Sequence, residues 1–295
     1  MLLPTKKNAS LAMLLMLAAT AFIAGTTLFA KALGEDGLHP ALHPLQISHG
    51  RFVFAFLTIV TATVVMRPTF VRPNWALHVA RTVFGWGGVT LMFASVAYIP
   101  LADATAIVFL NPVFGMILAI PLLREKVGPI RWLAAAIALA GAVILLRPTP
   151  DSFQIASLLA LAAAIIMGFE VIFIKKLAGR ETPFQVLLIN NCLGVVIASA
   201  AVIGVWQMPT PAQWGVLISL GVCMALAQTC FINAMARADA SFVAPFTYGT
   251  LLFATVYDVA FYGQFPDWIT MTGGSIILSG GVLLAWREGK VLPRG

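Results

Sequence analysis

Long apolar stretches alternate with short polar segments along the whole chain. A helix needs roughly 20 apolar residues to cross the hydrocarbon core of a bilayer, and these stretches have about that length. Proline lies in most of the breaks, where it ends or restarts a helix because it lacks a backbone N–H. The pattern predicts an all-α integral membrane protein with ten membrane-spanning helices: Ser10–Ala30, Leu45–Met66, Trp75–Tyr98, Ala104–Leu123, Ile130–Leu146, Phe153–Ile174, Phe184–Val205, Trp214–Ala236, Phe242–Tyr262 and Trp268–Trp286.

The composition excludes a water-soluble protein. Of the 295 residues, 60% are hydrophobic and 10% are charged, whereas soluble domains carry about 25% charged residues. A fold in water could not bury this much apolar surface, so a soluble enzyme, a nucleic-acid binder and a disordered chain are excluded. We expect the first apolar stretch to be a retained helix and not a cleaved leader, because it is longer than a usual signal core.

Basic residues are concentrated on one side of the predicted membrane. Of the 18 Lys and Arg residues, 14 lie in the termini and in the loops of one side, and 2 lie in the loops of the other. Cytoplasmic loops carry such an excess of positive charge, so we expect both termini in the cytoplasm. The asymmetry also accounts for the net charge of +7 without a nucleic-acid partner.

Short matching segments at a nearly constant offset indicate an internal repeat. Ala102–Thr105 recurs as Ala238–Ser241, and Pro44–Gln46 recurs as Pro183–Gln185. The matches divide the chain into two units of five spans, residues 1–148 and 149–295. Because five is odd, the second unit must enter the membrane in the opposite orientation to the first. Inverted repeats of this kind build many secondary transporters, with the substrate held between the halves.

Three motifs in each half are similar to those of a known family. In the first half they are Asn111–Phe114, Arg124-Glu125 and Ala138–Leu146; in the second they are Ala244–Tyr248, Gly263–Asp267 and the glycine pairs at 273–274 and 280–281. Over nearly its whole length the chain resembles the EamA-type branch of the drug/metabolite transporter superfamily, and within it the bacterial aromatic-amino-acid exporters of the YddG type. It departs from the family at Gln264, where relatives usually have Glu.

The resemblance implies ten helices, an inverted repeat, a bacterial inner-membrane location and a small metabolite as substrate. It brings no shared catalytic motif, and the sequence has no nucleophile–His–acid cluster and no metal-ligand spacing. We therefore expect no enzyme activity, no cofactor and no metal. The chain also lacks the phosphate-binding G-x-x-x-x-G-K-[ST] loop, so no ATPase is expected within it, and no ATPase subunit is evident.

Charged residues inside the predicted spans are the first candidates for function, because ionised groups are costly in a bilayer. These are Arg51, Arg81, Glu170 and Asp258. They could bind the carboxylate and amino groups of a zwitterion. Alternatively, the arginines could extend to lipid headgroups, and Glu170 could pair with Lys175.

The polar and aromatic neighbours of these charges extend the candidate set. His78, Thr82, Gly85 and Gly88 form one helix face with Arg81, and such a small, polar face should turn away from lipid. Asn111, next to Pro112, could repair the broken helix or face the substrate. Trp86 could line a pocket or fill the core, and Asn190, Asn191, Gln228 and Asn233 could bind other helices or substrate. The predicted substrate-binding residues are His78, Arg81, Trp86, Asn111, Glu170, Gln228 and Tyr248.

Two further patterns favour structural roles. Asp103 and Asp239 each precede a helix and are predicted to cap its N-terminus. The glycine pairs at 273–274 and 280–281 should allow close packing between the halves, although a homodimer seam is the alternative.

The sequence thus predicts an inner-membrane exporter of amino acids or related small metabolites that works by alternating access. The alternatives are uptake of an adenosyl or sugar-like metabolite, and lipid flipping.

Overall fold

A computed structural model describes residues 8–34, 38–96, 98, 101–148, 157–263 and 265–291. Within these ranges the regular structure is entirely helical, in agreement with the predicted class. The helices are α1 Ala9–Leu33, α2 Pro44–Met66, α3 Trp75–Val96, α4 Leu101–Val108, α5 Asn111–Leu123, α6 Pro129–Leu146, α7 Ser157–Ala178, α8 Pro183–Val202, α9 Pro211–Arg237, α10 Ala240–Val243, α11 Gly249–Tyr262 and α12 Trp268–Val291.

Nine helical segments in the described ranges are long and apolar enough to cross a membrane. Three of them are compound. α4 continues into α5, α8 continues into a 3-10 turn at Ile203–Val205, and α10 continues through a 3-10 turn, Ala244–Tyr248, into α11. The remaining predicted span corresponds to α3, a helix of 22 residues that lies outside these nine. The structure therefore supports a multi-pass membrane protein, and the count of ten spans stays a prediction.

Proline and a polar cap together determine where several helices begin. Pro44, Pro129, Pro183 and Pro211 are the first residues of their helices, where the missing N–H costs no hydrogen bond. At α9 the cap is reciprocal, because Thr210 accepts from the Gln213 N–H while the Gln213 side chain accepts from the Thr210 N–H.

The long helices pack in pairs that cross between the two predicted units. α1 packs against α9, α3 against α7, and α6 against α12, while α2 lies against both α8 and α9. The α6–α12 contact depends on glycine: a Cβ at Gly141 would lie 2.6 Å from the Gly273 carbonyl oxygen, and one at Gly280 would lie 2.9 Å from the Ala134 oxygen. The glycines at 273 and 280 thus serve close packing within the chain, as predicted.

The compound helix α4–α5 is broken at Pro112, and a tyrosine from the other half binds a carbonyl that the break exposes. The Val113 N–H turns back to the Leu110 carbonyl, which leaves the Phe109 carbonyl without its usual partner in the helix. The hydroxyl of Tyr248 donates to this carbonyl at 2.8 Å, and its ring stacks on Phe109. Tyr248 is fully buried.

Candidate substrate site

The directions of α2, α3 and α8 bring two arginines in from opposite ends of the bundle. His49 of α2 contacts Ser199, and Phe52 lies against Gly194, so α2 and α8 are antiparallel. On α3, His78 contacts Glu181 and Arg81 approaches the Val186 carbonyl, so α3 and α8 are parallel. At 1.5 Å per residue, Arg51 lies about 10 Å along α2 and Arg81 about 9 Å along α3.

Glu170 of α7 lies near these two arginines. Its carboxylate is within electrostatic range of both guanidinium groups. The carboxylate rests directly on the backbone of Gly85, since a Cβ there would lie 2.9 Å from Glu170 Oε1 and 3.2 Å from Oε2. Within the described part of the chain, the Glu170 carboxylate has no hydrogen bond or salt bridge. The site therefore contains three ionisable groups from three helices, held near one another without direct pairing.

Both arginines keep donor atoms unsatisfied. Arg81 is 4% exposed, its one hydrogen bond is a long 3.5 Å contact to Val186 O, and its buried Nε has no partner among the described residues. The buried Nε of Arg51 is likewise unpaired, with the guanidinium over the Phe52 ring at 4.5 Å. Because Arg81 is enclosed by protein, the alternative that it extends to lipid headgroups does not hold.

The alternative pairing of Glu170 with Lys175 is also wrong. The Lys175 ammonium donates instead to the backbone carbonyls of Met235 and Ala238 at the C-terminal end of α9. Asp258 lies apart from the site and forms a 3.2 Å salt bridge with Lys31. Of the four charged candidates, the structure brings together Arg51, Arg81 and Glu170.

An amide pair joins α8 to α9 near this centre. The side-chain NH₂ of Asn191 donates to Gln228 Oε1 at 2.8 Å and to the Leu187 carbonyl at 2.9 Å. Asn191 is fully buried, yet its Oδ1 has no partner in the described structure. Asn191 lies five residues after Val186, the contact of Arg81, on α8. The pair leaves one buried acceptor atom, Asn191 Oδ1, unused.

Trp86 forms one wall of a groove between α3 and α8. The groove has a volume of about 490 Å³ and is lined by Thr82, Val83, Trp86, Gly87, Thr90, Leu91 and Ile197. It opens toward the outer surface of the bundle, where Val83 is 59% exposed. Trp86 directly follows Gly85, the residue on which the Glu170 carboxylate rests, but neither Gly85 nor Glu170 lines this largely apolar groove.

Other predicted site residues lie elsewhere. Tyr248 donates to the Phe109 carbonyl at the α4–α5 break. Asn111, at the start of α5, makes no side-chain hydrogen bond with described residues, so its amide does not satisfy the groups freed by that break. His78 binds Glu181 at 2.8 Å, and Glu181 also accepts from the Asn74 N–H and from Gln185. Asn233 binds Arg237 of its own helix.

Two acidic residues outside the predicted spans have roles that the sequence analysis missed. Glu181 anchors the network around His78, and only its position between two apolar stretches could have drawn attention to it. Glu125 accepts from the N–H groups of Ala240 and Ser241 at 2.8 and 3.0 Å. The predicted cap by Asp239 is wrong, because that carboxylate makes no capping bond and instead pairs with Arg131 at 3.2 Å. The side chain of Asp103 and the whole of Gln264 lie outside the described residues.

A bundle of apolar helices around ionisable groups that have no direct partner among the described residues is typical of a membrane carrier of small molecules. The model of the EamA-like transporter family matches residues 10–147 and 154–286. The chain belongs to the EamA-like transporter family.

Several proteins with named substrates are similar to this chain. A riboflavin transporter of Vibrio cholerae is 32% identical over 231 residues, which cover 77% of this chain and 78% of that protein. An S-adenosylmethionine uptake transporter of Rickettsia bellii is 26% identical over 254 residues, covering 86% and 87%. A pseudopaline exporter of Pseudomonas aeruginosa is 24% identical over 210 residues, covering 70% and 74%. These names do not include an aromatic-amino-acid exporter, so that narrower resemblance stays a prediction.

A solved crystal structure has the same fold. It superposes with a TM-score of 0.81 at 18% sequence identity, over 96% of this chain and 99% of the other. This likeness shows the fold alone. The family match and the long apolar helices together identify the chain as a multi-pass membrane transporter of small metabolites.

Proposed function

We propose that this protein carries amino acids or amino-acid-derived metabolites outward across the bacterial inner membrane by alternating access. The observation that supports this most is the unpaired centre formed by Arg51, Arg81 and Glu170. A buried charge without a partner is costly, so a site of this kind is completed by a ligand of matching charge. A zwitterion matches both signs.

The proposed binding mode follows from the donors and acceptors that are left free. The substrate carboxylate would accept from the guanidinium Nε atoms of Arg81 and Arg51, and its ammonium would donate to Glu170. Hydrogen bonds between ionised groups are about twice as strong as neutral ones. The free Oδ1 of Asn191 offers a second acceptor for the ammonium, and the groove beside Trp86 offers room for an apolar side chain.

The proposed alternating access rests on the inverted repeat of residues 1–148 and 149–295. If the units are equivalent, α1 corresponds to α7 and α3 to α9, so the contact of α1 with α9 should have a counterpart between α7 and α3. Both contacts are present. Carriers with this symmetry open to one side and then the other as the halves rock about a central site.

The direction of transport is the part of the proposal that depends on concentrations outside the molecule. A carrier without ion coupling moves substrate down its own gradient, and cytoplasmic amino acids commonly exceed external ones. The similarity to an S-adenosylmethionine uptake transporter, whose substrate contains methionine, supports the amino-acid-derived class. It also favours the alternative of uptake from a rich surrounding medium.

A planar, flavin-sized substrate is the second candidate. It is favoured by the 32% identity to a riboflavin transporter and by the groove of about 490 Å³ that Trp86 lines. Aromatic rings stack on tryptophan with a gain of about 1 kcal/mol beyond simple burial. This candidate predicts that riboflavin competes for transport, and that Trp86→Ala weakens its binding.

Counterflow in proteoliposomes tests these candidates. Liposomes are loaded with one unlabelled compound, and uptake of the same compound in labelled form is measured. The compounds tested are amino acids, S-adenosylmethionine and riboflavin. We expect an amino acid or S-adenosylmethionine to exchange, and Arg81→Gln and Glu170→Gln to lower the rate by at least tenfold. The control, Arg72→Gln in the exposed α2–α3 loop, should retain the wild-type rate. Exchange of lipid alone would support the flippase alternative and contradict the proposal.

A further inference from the structure

Two buried glutamines form the same unusual contact at opposite ends of the bundle. Gln46, the third residue of α2, is 1% exposed, and Gln185, the third residue of α8, is 4% exposed. Gln46 donates to the Gln207 carbonyl at 2.5 Å and accepts from the Gln207 N–H at 3.1 Å. Gln185 donates to the Val71 carbonyl at 2.9 Å and accepts from the Val71 N–H at 2.8 Å.

Each contact is an amide clamp on one backbone residue. A primary amide carries a donor and an acceptor side by side, as a backbone strand does, so both bonds form at once and define position and orientation. A carboxylate lacks the donor. Val71 and Gln207 each lie four residues before the first residue of a long helix, α3 at Trp75 and α9 at Pro211. The clamps thus tie the start of α8 to the start of α3, and the start of α2 to the start of α9.

The two clamps lie at opposite ends of the membrane because α2 and α8 are antiparallel. Neighbouring contacts reinforce both. Glu181 binds Gln185, the Asn74 N–H and His78 beside the first clamp. Gln213 donates to the carbonyls of Leu38 and Pro40 beside the second. Each clamp is therefore part of a network of hydrogen bonds and not an isolated surface contact.

Beyond their clamps, the two helix pairs behave differently. α2 and α9 stay in contact, since a Cβ at Gly50 would lie 2.5 Å from Leu217 Cδ2, and Gly221 lies against Phe54 further along. α3 and α8 separate past Arg81, and the groove between Thr82 and Ile197 lies in the gap. Both clamps are nevertheless formed. A clamp is thus compatible with a closed helix pair and with a separated one.

From this we infer that Gln46 and Gln185 are the pivots of the transport cycle and not its gates. Each clamp stays formed while its helix pair opens and closes at the far end. α3 and α8 separate in one state, and α2 and α9 separate in the other. This inference rests on the proposed alternating access, and it adds the two residues about which the motion occurs.

Covalent cross-links separate a pivot from a gate. In a variant without Cys192, Cys223 and Cys230, the clamp residues are replaced in pairs, Val71→Cys with Gln185→Cys and Gln46→Cys with Gln207→Cys. A short thiol-specific cross-linker then replaces each amide clamp by a covalent link. The pivot predicts counterflow within about threefold of the uncross-linked protein. The control pair, Thr90→Cys with Ile197→Cys across the groove, should lose counterflow on cross-linking.

The opposite result would overturn the inference: loss of counterflow when a clamp is cross-linked, or no effect of the cross-link across the groove. Spin labels at positions 90 and 197 give a readout that needs no substrate. In lipid vesicles their distance distribution should show a separated and a close population, both unchanged by the clamp cross-link. Collapse to one population would also contradict the pivots. If the distances behave as expected but no amino acid is exchanged, only the proposed substrate fails.

Discussion

The carboxylate of Glu170 owes its position to a missing side chain. Gly85 lets α3 and α7 approach until the carboxylate lies on the α3 backbone, near two guanidinium groups and without a direct partner among the described residues. A salt bridge would hold this group in one geometry, whereas an unpaired carboxylate remains available to a substrate. Gly87, two residues along, has no such role, since the nearest atom to a Cβ there is Ile166 Cγ2 at 3.9 Å.

We predict that Gly85→Ala displaces Glu170 and lowers counterflow at least tenfold. The added methyl would overlap the carboxylate, and overpacking of this kind costs about 1–3 kcal/mol. The measurements are counterflow and the thermal unfolding midpoint in detergent. Gly215→Ala in α9, where no atom lies within 4 Å of the added Cβ, is the control and should lower neither. Equal activity of both variants would show that the carboxylate position does not matter for transport.

At the scale of helices, contacts between the two halves stabilise the break in α4–α5 and the close approach of α6 to α12. Tyr248 satisfies the Phe109 carbonyl exposed by Pro112. The α6–α12 contact brings Gly141 onto Gly273. At one end of this pair Arg147 donates to Asp267, and that hydrogen bond lowers the pKa of the Asp267 carboxyl. Because the pKa is lowered in the folded protein, this exposed ion pair is present at neutral pH and is lost only in acid.

The break in α4–α5 predicts a specific cost for Tyr248→Phe. Removing the hydroxyl leaves the Phe109 carbonyl buried and unpaired, which costs about 1–3 kcal/mol. The unfolding midpoint in detergent should fall, and the exposed Tyr98 provides the control Tyr98→Phe, which should have no effect. An unchanged midpoint in the Tyr248 variant would mean that water or another group satisfies the carbonyl.

The α6–α12 contact predicts that Gly141→Ala destabilises the protein. A methyl at 2.6 Å from the Gly273 oxygen forces the helices apart, at a cost of about 1–3 kcal/mol. Gly215→Ala in α9, where no atom lies within 4 Å of the added Cβ, should be neutral or stabilising because alanine favours helix. Unfolding midpoints of the two variants test the contrast. A stable Gly141→Ala protein would contradict the close approach of the helices.

For the whole molecule, the distribution of basic residues predicts the orientation. A reporter fused after Arg294, or inserted between Pro68 and Pro73, should report the cytoplasm. One inserted at Pro148–Asp151, a segment that extends beyond the described residues, should report the periplasm. A reporter fused to the C-terminus and found in the periplasm would overturn both the orientation and the even number of spans.

Coupling is also a property of the whole molecule. Proton-coupled carriers commonly use a membrane carboxylate that titrates. Among the described spans, Asp258 is paired with Lys31, which leaves Glu170 as the candidate. We expect counterflow to proceed without a pH or sodium gradient and substrate flux to move no protons, as measured with a pH-sensitive dye inside liposomes. Stoichiometric proton flux that disappears in Glu170→Gln would make Glu170 the coupling site instead.

The sequence by itself determined the class, most helix bounds and the family, because a bilayer imposes the length and polarity of each span and proline marks the ends. It also singled out Arg81 and Glu170, since charge in an apolar stretch is visible in one dimension. The packing glycines at 273 and 280 were recognisable because small residues seven positions apart lie on one helix face and let helices approach closely.

Only the tertiary structure decided which polar groups meet. Glu181 with His78, Glu125 with Ser241, and Tyr248 with Phe109 are more than 100 residues apart in the chain, and no local pattern encodes such distances. The predicted cap by Asp239 is wrong because the carboxylate of Glu125, distant in the chain, accepts from the N–H groups at that helix end. The sequence marked Gln46 and Gln185 only as matching positions of the repeat. That each clamps a backbone residue emerged only in three dimensions, because Gln207 and Val71 are more than 100 residues away in the chain.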